Sequence, residues 1–484
     1  MANTLAMQSV VQSMFCGDEV KSVVADLGAA TCRLGFGGHE SPRHSFRSEL
    51  GLVERDDDSM DVQESGSSSS KSSSKKKGGS GVKKRRAVLG DMSFRYIRDD
   101  IEIEKPFIMN EQGGATINWE HVESVIKYGY GSMHIDPKEY CTLFADNYFE
   151  SDKDKAKLFE LCLESFEQPA IYTMNNSVLA SFSAGRQTSM VIDLGATETR
   201  VTPVVDGFAV KGGALKTRRG GDWLDNIVSN VVKTKASDSS GGSGSSKKRK
   251  GESGGTGITV KPWFEKDEDA IKKYGKCSPS LREMHTMDLI RDIKKWMCFV
   301  PYQAVEPSER QNFITNVIQL PEYELPDGSP IGHFDELCTG PEKWFIPKEP
   351  GTGVKTVPRP VVGLPAHCQA SNVDVEGDSV QEIVRASILG CDVDCRKEVL
   401  NNIMLVGGGS LIDGVQQRLQ SELKSVFPES VKVKVTSQLP LERTNAAWIG
   451  GSILSICGSF QQLWISRQEW LEYGDSLLAH RLKQ

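Results

Sequence analysis

The sequence predicts an α/β fold built as two related lobes that face one ligand. The first observation behind this is an internal repeat. KSVVADLGAATCRLGFG (21–37) and TSMVIDLGATETRVTPVVDG (188–207) share a β-rich run, Asp-Leu-Gly-Ala, three residues, an Arg and a second β-rich run. The second is a Gly-rich turn between a strand pattern and a helix pattern, NIMLVGGGS followed by LIDGVQQRLQSELKSVF. Composition permits such a fold, since 484 residues of which 38% are apolar can bury a sizeable core and supply two or three domains' worth of structure.

Each copy of the repeat reads as a β-hairpin, because two short apolar runs flank a small-residue turn. Asp26 corresponds to Asp193, Gly28 to Gly195 and Arg33 to Arg200. Duplicated hairpins imply a duplicated domain with both tips turned toward the same ligand. After the third turn, Val415, Leu419 and Leu423 recur at the spacing of an amphipathic helix. A Gly-Gly-Gly turn by itself reads as a plain tight turn. Beside paired Asp-Leu-Gly loops, its backbone N–H groups at a strand-to-helix junction point to phosphate or nucleoside contact.

Two stretches, 56–86 and 235–257, are nearly all Ser, Gly and charge and are expected to be disordered. Apolar runs resume at Ala87 and Ile258, so both read as insertions within a domain. The Pro- and Gly-rich segment from Pro321 to Gly363 is expected to be an extended, partly ordered connection. The net charge of −7 hides an uneven distribution, with basic residues concentrated between Lys75 and Arg86 and between Lys247 and Lys250.

Other classes are argued against. No run approaches the ~20 apolar residues of a membrane span, and the N-terminal stretch lacks the basic start and long apolar run of a secretory signal. A cytosolic or nuclear protein without membrane contact is therefore expected. Eleven cysteines is an odd number, and Cys32, Cys141, Cys162, Cys298 and Cys457 stand singly in apolar or mixed segments. Buried small hydrophobes fit them better than disulfides. Cys391 and Cys395 have no second pair or nearby His to complete a zinc set.

Glycine at a hairpin tip leaves no Cβ to hold a polyphosphate away, and the tip's N–H groups offer donors to its oxygens. Asp26 and Asp193, near the ends of their strands, are placed to hold a Mg²⁺ ion through water, as a cation that keeps several waters and takes one or two carboxylates requires.

These motifs resemble actin and the actin-related proteins. VVADLGAATCRLGFGG with Pro42 is similar to the family's first phosphate loop, SFEQPAIYTMNNSVLASFSAGR and VIDLGATETR to the segment containing the second, and GCDVDCRKEVLNNIMLVGGGSL to the third. The C-terminal run WIGGSILSICGSFQQLWISRQEWLEYG is the most specific match. The tract GLVERDD and the low-complexity insertion after it look most like the nuclear actin-related protein 4 subfamily.

The resemblance implies the actin-like two-lobed fold shared with Hsp70 chaperones and sugar kinases, with ATP and Mg²⁺ in the central cleft. An outer lobe would take residues 1–183 plus 446–484, and an inner lobe residues 184–445. Asp26, Gly28, Ala29 and Arg33 match the first phosphate loop, with Arg33 where the family has a phosphate-binding lysine. Asp193, Gly195, Ala196 and Thr197 match the second loop, Gly407, Gly408, Gly409 and Ser410 the nucleoside side, and Lys294 a lysine at the adenine.

Departures accompany these matches. Asn176 stands in place of a water-orienting glutamine, Ala196 in place of an aspartate and Arg200 in place of a histidine, so binding is expected to outlast hydrolysis. Lys295, Ile412 and Thr444 replace residues that contact ribose and adenine, and the first insertion replaces a loop of the filament contact. The expectation is a nucleotide-loaded structural subunit of nuclear chromatin-remodelling or histone acetyltransferase complexes, serving transcription regulation and DNA repair. Its expected partners are nuclear actin and a helical segment of a remodelling ATPase or scaffold subunit, with histones or DNA as further candidates. The basic clusters then serve nuclear import or chromatin contact, or remain solubilising linker charge. A cytoskeletal protein and a weak ATPase of the same fold are the alternatives.

Overall fold

The computed structural model describes residues 21–54, 85–109, 115–149, 151–238, 260–306, 308–317, 322–346 and 379–482. Two mixed sheets organise them, and each is seeded by one copy of the repeat. In the first, strand Ser22–Leu27 is buried at every position and lies between its antiparallel partner Thr31–Phe36 and the parallel strand Cys141–Asp146. The order continues outward to His44–Arg47 on one side and to Ala170–Asn175 and Ile465–Ser466 on the other. In the second, Ser189–Leu194 lies between antiparallel Thr199–Val205 and parallel Ile403–Val406. Central strands covered on both faces read as continuous apolar runs, which is why SVVADL and SMVIDL look alike in sequence.

Helices cover both sheets and bury separate cores. Leu27, Leu34, Ile126, Phe144 and Phe159 belong to the first; Ile192, Trp344, Val384, Leu405 and Leu419 belong to the second. Each fully buried aliphatic side chain contributes about 1.5–3 kcal/mol. The predicted helix Val415–Val426 is present, with Val415, Leu419 and Leu423 buried.

Between the sheets run two helices, Asn176–Ser183 and Pro440–Ser455, whose contact depends on glycine. A Cβ at Gly450 would stand 1.8 Å from the Leu179 carbonyl oxygen, so only glycine lets the helices approach this closely. Trp448, fully buried beside it, donates its indole N–H to the Val24 carbonyl at 3.1 Å. The start of the C-terminal run therefore joins the first sheet to the helix pair.

Some expectations need correction. The segment expected to be extended is folded over 322–346: strands Tyr323–Glu324 and Pro330–Ile331 pair, a helix covers Asp335–Cys338, and Leu325, Ile331, Leu337 and Trp344 are buried. Its apolar residues carry no period, but they fill the inner core; 347–378 lies outside the described residues. The insertions 56–86 and 235–257 also lie mostly outside them. Arg85 and Arg86, however, pair as strand with Glu54 and Val53, and the helix Gly221–Asp238 extends through the first residues of the second insertion.

Candidate functional site

Both hairpin tips open into a cleft of about 1090 Å³ between the lobes. Asp26, Gly28, Ala29 and Arg33 line it from the first hairpin, Asp193, Gly195, Ala196 and Arg200 from the second, and Gly407, Gly408 and Gly409 from the third turn. Asn176 and Lys294 line it as well, whereas Thr197 and Ser410 do not. The repeat is preserved in register, since Asp26 lies opposite Arg33 and Asp193 opposite Arg200.

The tip glycines have a more local cause than ligand approach. A Cβ at Gly28 would lie 2.6 Å from the Thr31 carbonyl oxygen, and one at Gly195 would lie 2.9 Å from that of Glu198. The turn's own backbone thus demands glycine. At Gly407, φ is +85°, and a Cβ would meet the Asp193 Oδ1 at 2.3 Å. Of the glycines in these three turns, only Gly408 would leave an added methyl in open space.

Electrostatics separate the two hairpins. The Arg33 Nη1 donates to Asp26 Oδ2 at 3.0 Å, so the guanidinium expected to serve phosphate is tied to the neighbouring strand. Burial pushes the Asp26 carboxyl above its ordinary value against the pull of Arg33. Its Oδ1 and the Asn176 Oδ1 are buried without a hydrogen-bond partner. Burial also raises Asp193, to about 6, with the charges of Asp26 and Glu198 adding to it and those of Arg200 and Arg33 opposing it. Arg200 pairs with Glu198 and lies over the Tyr148 ring, 5.6 Å from its centroid.

Two expected site residues are turned elsewhere. Thr197 shares a hydrogen bond with the Tyr148 hydroxyl at 3.1 Å, and the buried Ser410 hydroxyl donates to the Gly407 carbonyl at 2.6 Å. Neither lines the cleft; both brace the turns that do. Where the sequence led us to expect the nucleoside, the Lys294 ammonium donates to the Gly221 carbonyl at 3.2 Å and pairs with Asp225. Lys295, Ile412 and Thr444 also line the cleft. Gly221 N–H and Asp222 N–H in turn hold the carbonyls of Gly195 and Ala196 at 2.9 and 2.7 Å.

Sequence reasoning missed Tyr148, Glu198 and Arg443 in this lining. Glu198 carried a signal, since a residue two before Arg200 in an extended run shares its face. Arg443 donates to the Ser410 carbonyl at 2.9 Å, and burial lowers its pKa.

The donor set fits a hydrated Mg²⁺. Asp26 is near enough for its charge to disfavour that of Asp193, and orphaned oxygens on Asp26 and Asn176 supply hard donors. Among the described residues no three His, Cys, Asp or Glu side chains converge as a direct metal-binding group. Two carboxylates acting through water are what this cation commonly takes from a protein.

The family model described as Actin matches residues 17–483. Among curated proteins, Actin-related protein 4 of Arabidopsis thaliana is 32% identical over 482 residues, covering 97% of this chain and all of the relative. Actin-related protein 4 of Oryza sativa subsp. indica is 29% identical over 483 residues, with 97% of this chain and all of the relative covered. That of Yarrowia lipolytica (strain CLIB 122 / E 150) is 27% identical over 481 residues, with 97% of each covered.

Proposed function

The chain belongs to the actin family, and from that premise we propose that it is a nucleotide-binding structural subunit of nuclear chromatin-remodelling or histone acetyltransferase complexes, with little or no ATP hydrolysis. One observation carries the nucleotide part. Two hairpins in the same register bring Asp26 and Asp193 to one cleft, whereas the positions a hydrolase would use hold Asn176, Ala196 and an Arg200 paired to Glu198.

Roles follow from the side chains. The tip N–H groups and the third turn offer donors to phosphate oxygens. Asp26 and Asp193 hold Mg²⁺ through water, and the ion, when bound, offsets the phosphate charge. Asn176 is one methylene shorter than the glutamine it replaces, and Ala196 has neither proton acceptor nor hydrogen-bonding group. Positioning dominates phosphoryl transfer, so these losses slow turnover more than binding.

The chromatin assignment rests on likeness to the actin-related protein 4 relatives and on the basic clusters, which apart from Arg85 and Arg86 lie outside the described residues. On this reading the partners are actin and a helical segment of a larger subunit, in the nucleus. Native purification of a tagged protein tests it. Recovery with actin and remodelling or acetyltransferase subunits supports the reading, and recovery with cytoskeletal motors would overturn it.

A second reading, slow hydrolysis, is favoured by Glu198, a buried carboxylate that lines the cleft beside Arg200. Single-turnover hydrolysis that falls by about tenfold or more in Glu198→Gln would support a base or water-orienting role. No change would return Glu198 to holding Arg200.

A further inference from the structure

Two kinds of contact join the lobes across the cleft, and no hairpin tip takes part in either. Arg47, at the end of strand His44–Arg47 in the outer lobe, makes a two-pronged pair with Asp288 on the inner-lobe helix Pro279–Met297, at 3.0 and 2.9 Å. It also reaches Glu49 at 3.1 Å. Lys105 lies 3.6 Å from both Glu49 and Asp222. Arg291 lies 3.7 Å from Asp222, 3.3 Å from Asp288 and 4.0 Å from Glu49. Positive and negative groups alternate from one lobe to the other.

Beside this ring, Phe94 and Ile101 of the outer lobe are buried against Leu281 and Met284 of the same inner helix. The Ile103 N–H donates to the Ser280 hydroxyl at 3.0 Å, and the Ser278 N–H donates to the Arg98 carbonyl at 2.9 Å.

The ring is also tied to the first hairpin. Ser48, between Arg47 and Glu49, donates its backbone N–H to the Ala30 carbonyl at 3.1 Å and its hydroxyl to the Gly28 carbonyl. A shift of the hairpin tip therefore moves Arg47 and Glu49 with it.

We propose that Arg47, Glu49 and Lys105 of the outer lobe and Asp222, Asp288 and Arg291 of the inner lobe form an electrostatic clasp that sets how often the lobes part and how fast bound nucleotide leaves. The clasp rests on the nucleotide reading for its consequence, but its effect on lobe opening does not. Arg47 is the positioning residue at its centre. Its planar fork matches the carboxylate of Asp288, which point-charge lysine would not reproduce. Because all of these side chains but the buried Glu49 are partly exposed, salt screens the clasp, and release quickens as ionic strength rises.

The test uses the full chain, with one nitroxide on each lobe for distance measurement by electron–electron resonance and a preloaded fluorescent ATP analogue for release. Arg47→Asp and Asp288→Arg should each widen the interlobe distances and speed release by about tenfold. The double exchange, Arg47→Asp with Asp288→Arg, should return release to within about threefold of the parent, as a coupled pair requires. Parental release should rise with salt, and release from the single variants should respond less. Unchanged distances and release in both single variants overturn the clasp, and so does failure of the double exchange to restore them. If a reversal does not fold, Lys105→Gln and Glu49→Gln provide milder breaks and should still quicken release by about twofold to threefold. If no preparation retains the analogue, the nucleotide reading fails, and the interlobe distances alone decide the clasp.

Discussion

The two hairpins share a register but not a wiring. Across the first, Arg33 is bonded to its partner Asp26. Across the second, Arg200 turns from Asp193 to pair with Glu198 over the Tyr148 ring, and Asp193 is pushed up to about 6, chiefly by burial. Backbone duplication thus copied the positions of the carboxylates and let their charges diverge. Burial pushes both carboxyls upward, but the first has an arginine of its own lobe bonded to it, whereas the second depends on what occupies the cleft.

The largest break in the comparison comes from the strand beside each hairpin. Gly407→Ala should destabilise the protein by about 3 kcal/mol or more, because it places a Cβ at positive φ against Asp193. Asn147→Ala, after the corresponding strand Cys141–Asp146, should cost less than about 1 kcal/mol. Denaturant midpoints for the two variants measure the contrast.

Next in size is a difference in sign, read on nucleotide-free protein near neutral pH. Asp26→Asn takes from Arg33 the carboxylate bonded to it, a loss that relief of the buried carboxyl partly offsets, and should cost roughly 1–2 kcal/mol with the arginine partly exposed. Asp193→Asn removes a poorly solvated charge and should stabilise the nucleotide-free protein by roughly 1–2 kcal/mol, less than the full shift because the carboxylate opens to the cleft. With Mg-ATP both variants should forfeit the stabilisation the ligand supplies in proportion to occupancy, so the gain from Asp193→Asn should turn into a loss. Destabilisation of the nucleotide-free protein by Asp193→Asn would show that its charge is already satisfied.

The pH dependence sharpens the same point. Asp193 has a folded-state pKa of about 6 against an ordinary value of 3.8, so the folded protein binds its proton more tightly. That contribution to stability is fully present below the ordinary value and is lost as pH rises through about 6. Stability of the parent relative to Asp193→Asn should therefore fall between pH values of about 4 and 7, a trend that parallel melts would reveal. A flat difference would mean that Arg200 compensates Asp193 after all.

The smallest effect concerns the brace of the second hairpin. Tyr148→Phe removes the hydroxyl that meets Thr197 and keeps the ring beneath Arg200, so it should cost about 0.5–1.5 kcal/mol. A larger loss would mean the hydroxyl holds more than that one turn.

Legibility in the sequence followed the range of the interaction. Asp-Leu-Gly-Ala with Arg at fixed spacing revealed both hairpins and their register, and the four-residue spacing of Val415, Leu419 and Leu423 revealed their helix. The fold over 322–346 was hidden because Leu325, Ile331 and Trp344 are scattered among Pro and Gly without a period, although each is buried. Local chemistry was half legible. Glu198 stands two residues from Arg200, yet nothing in sequence says that Arg33 chooses Asp26 and Arg200 does not choose Asp193. The pair between Arg47 and Asp288, 241 residues apart, had no local signal at all. Only the closure of the lobes brings them together.

The most direct measurement is the nucleotide carried by the purified protein after prolonged incubation with Mg-ATP and removal of the free ligand. The account predicts about one nucleotide per chain, recovered as intact ATP, and its loss when Mg²⁺ is chelated. Protein free of nucleotide would contradict the cleft assignment, and recovery as ADP would contradict the proposed lack of turnover.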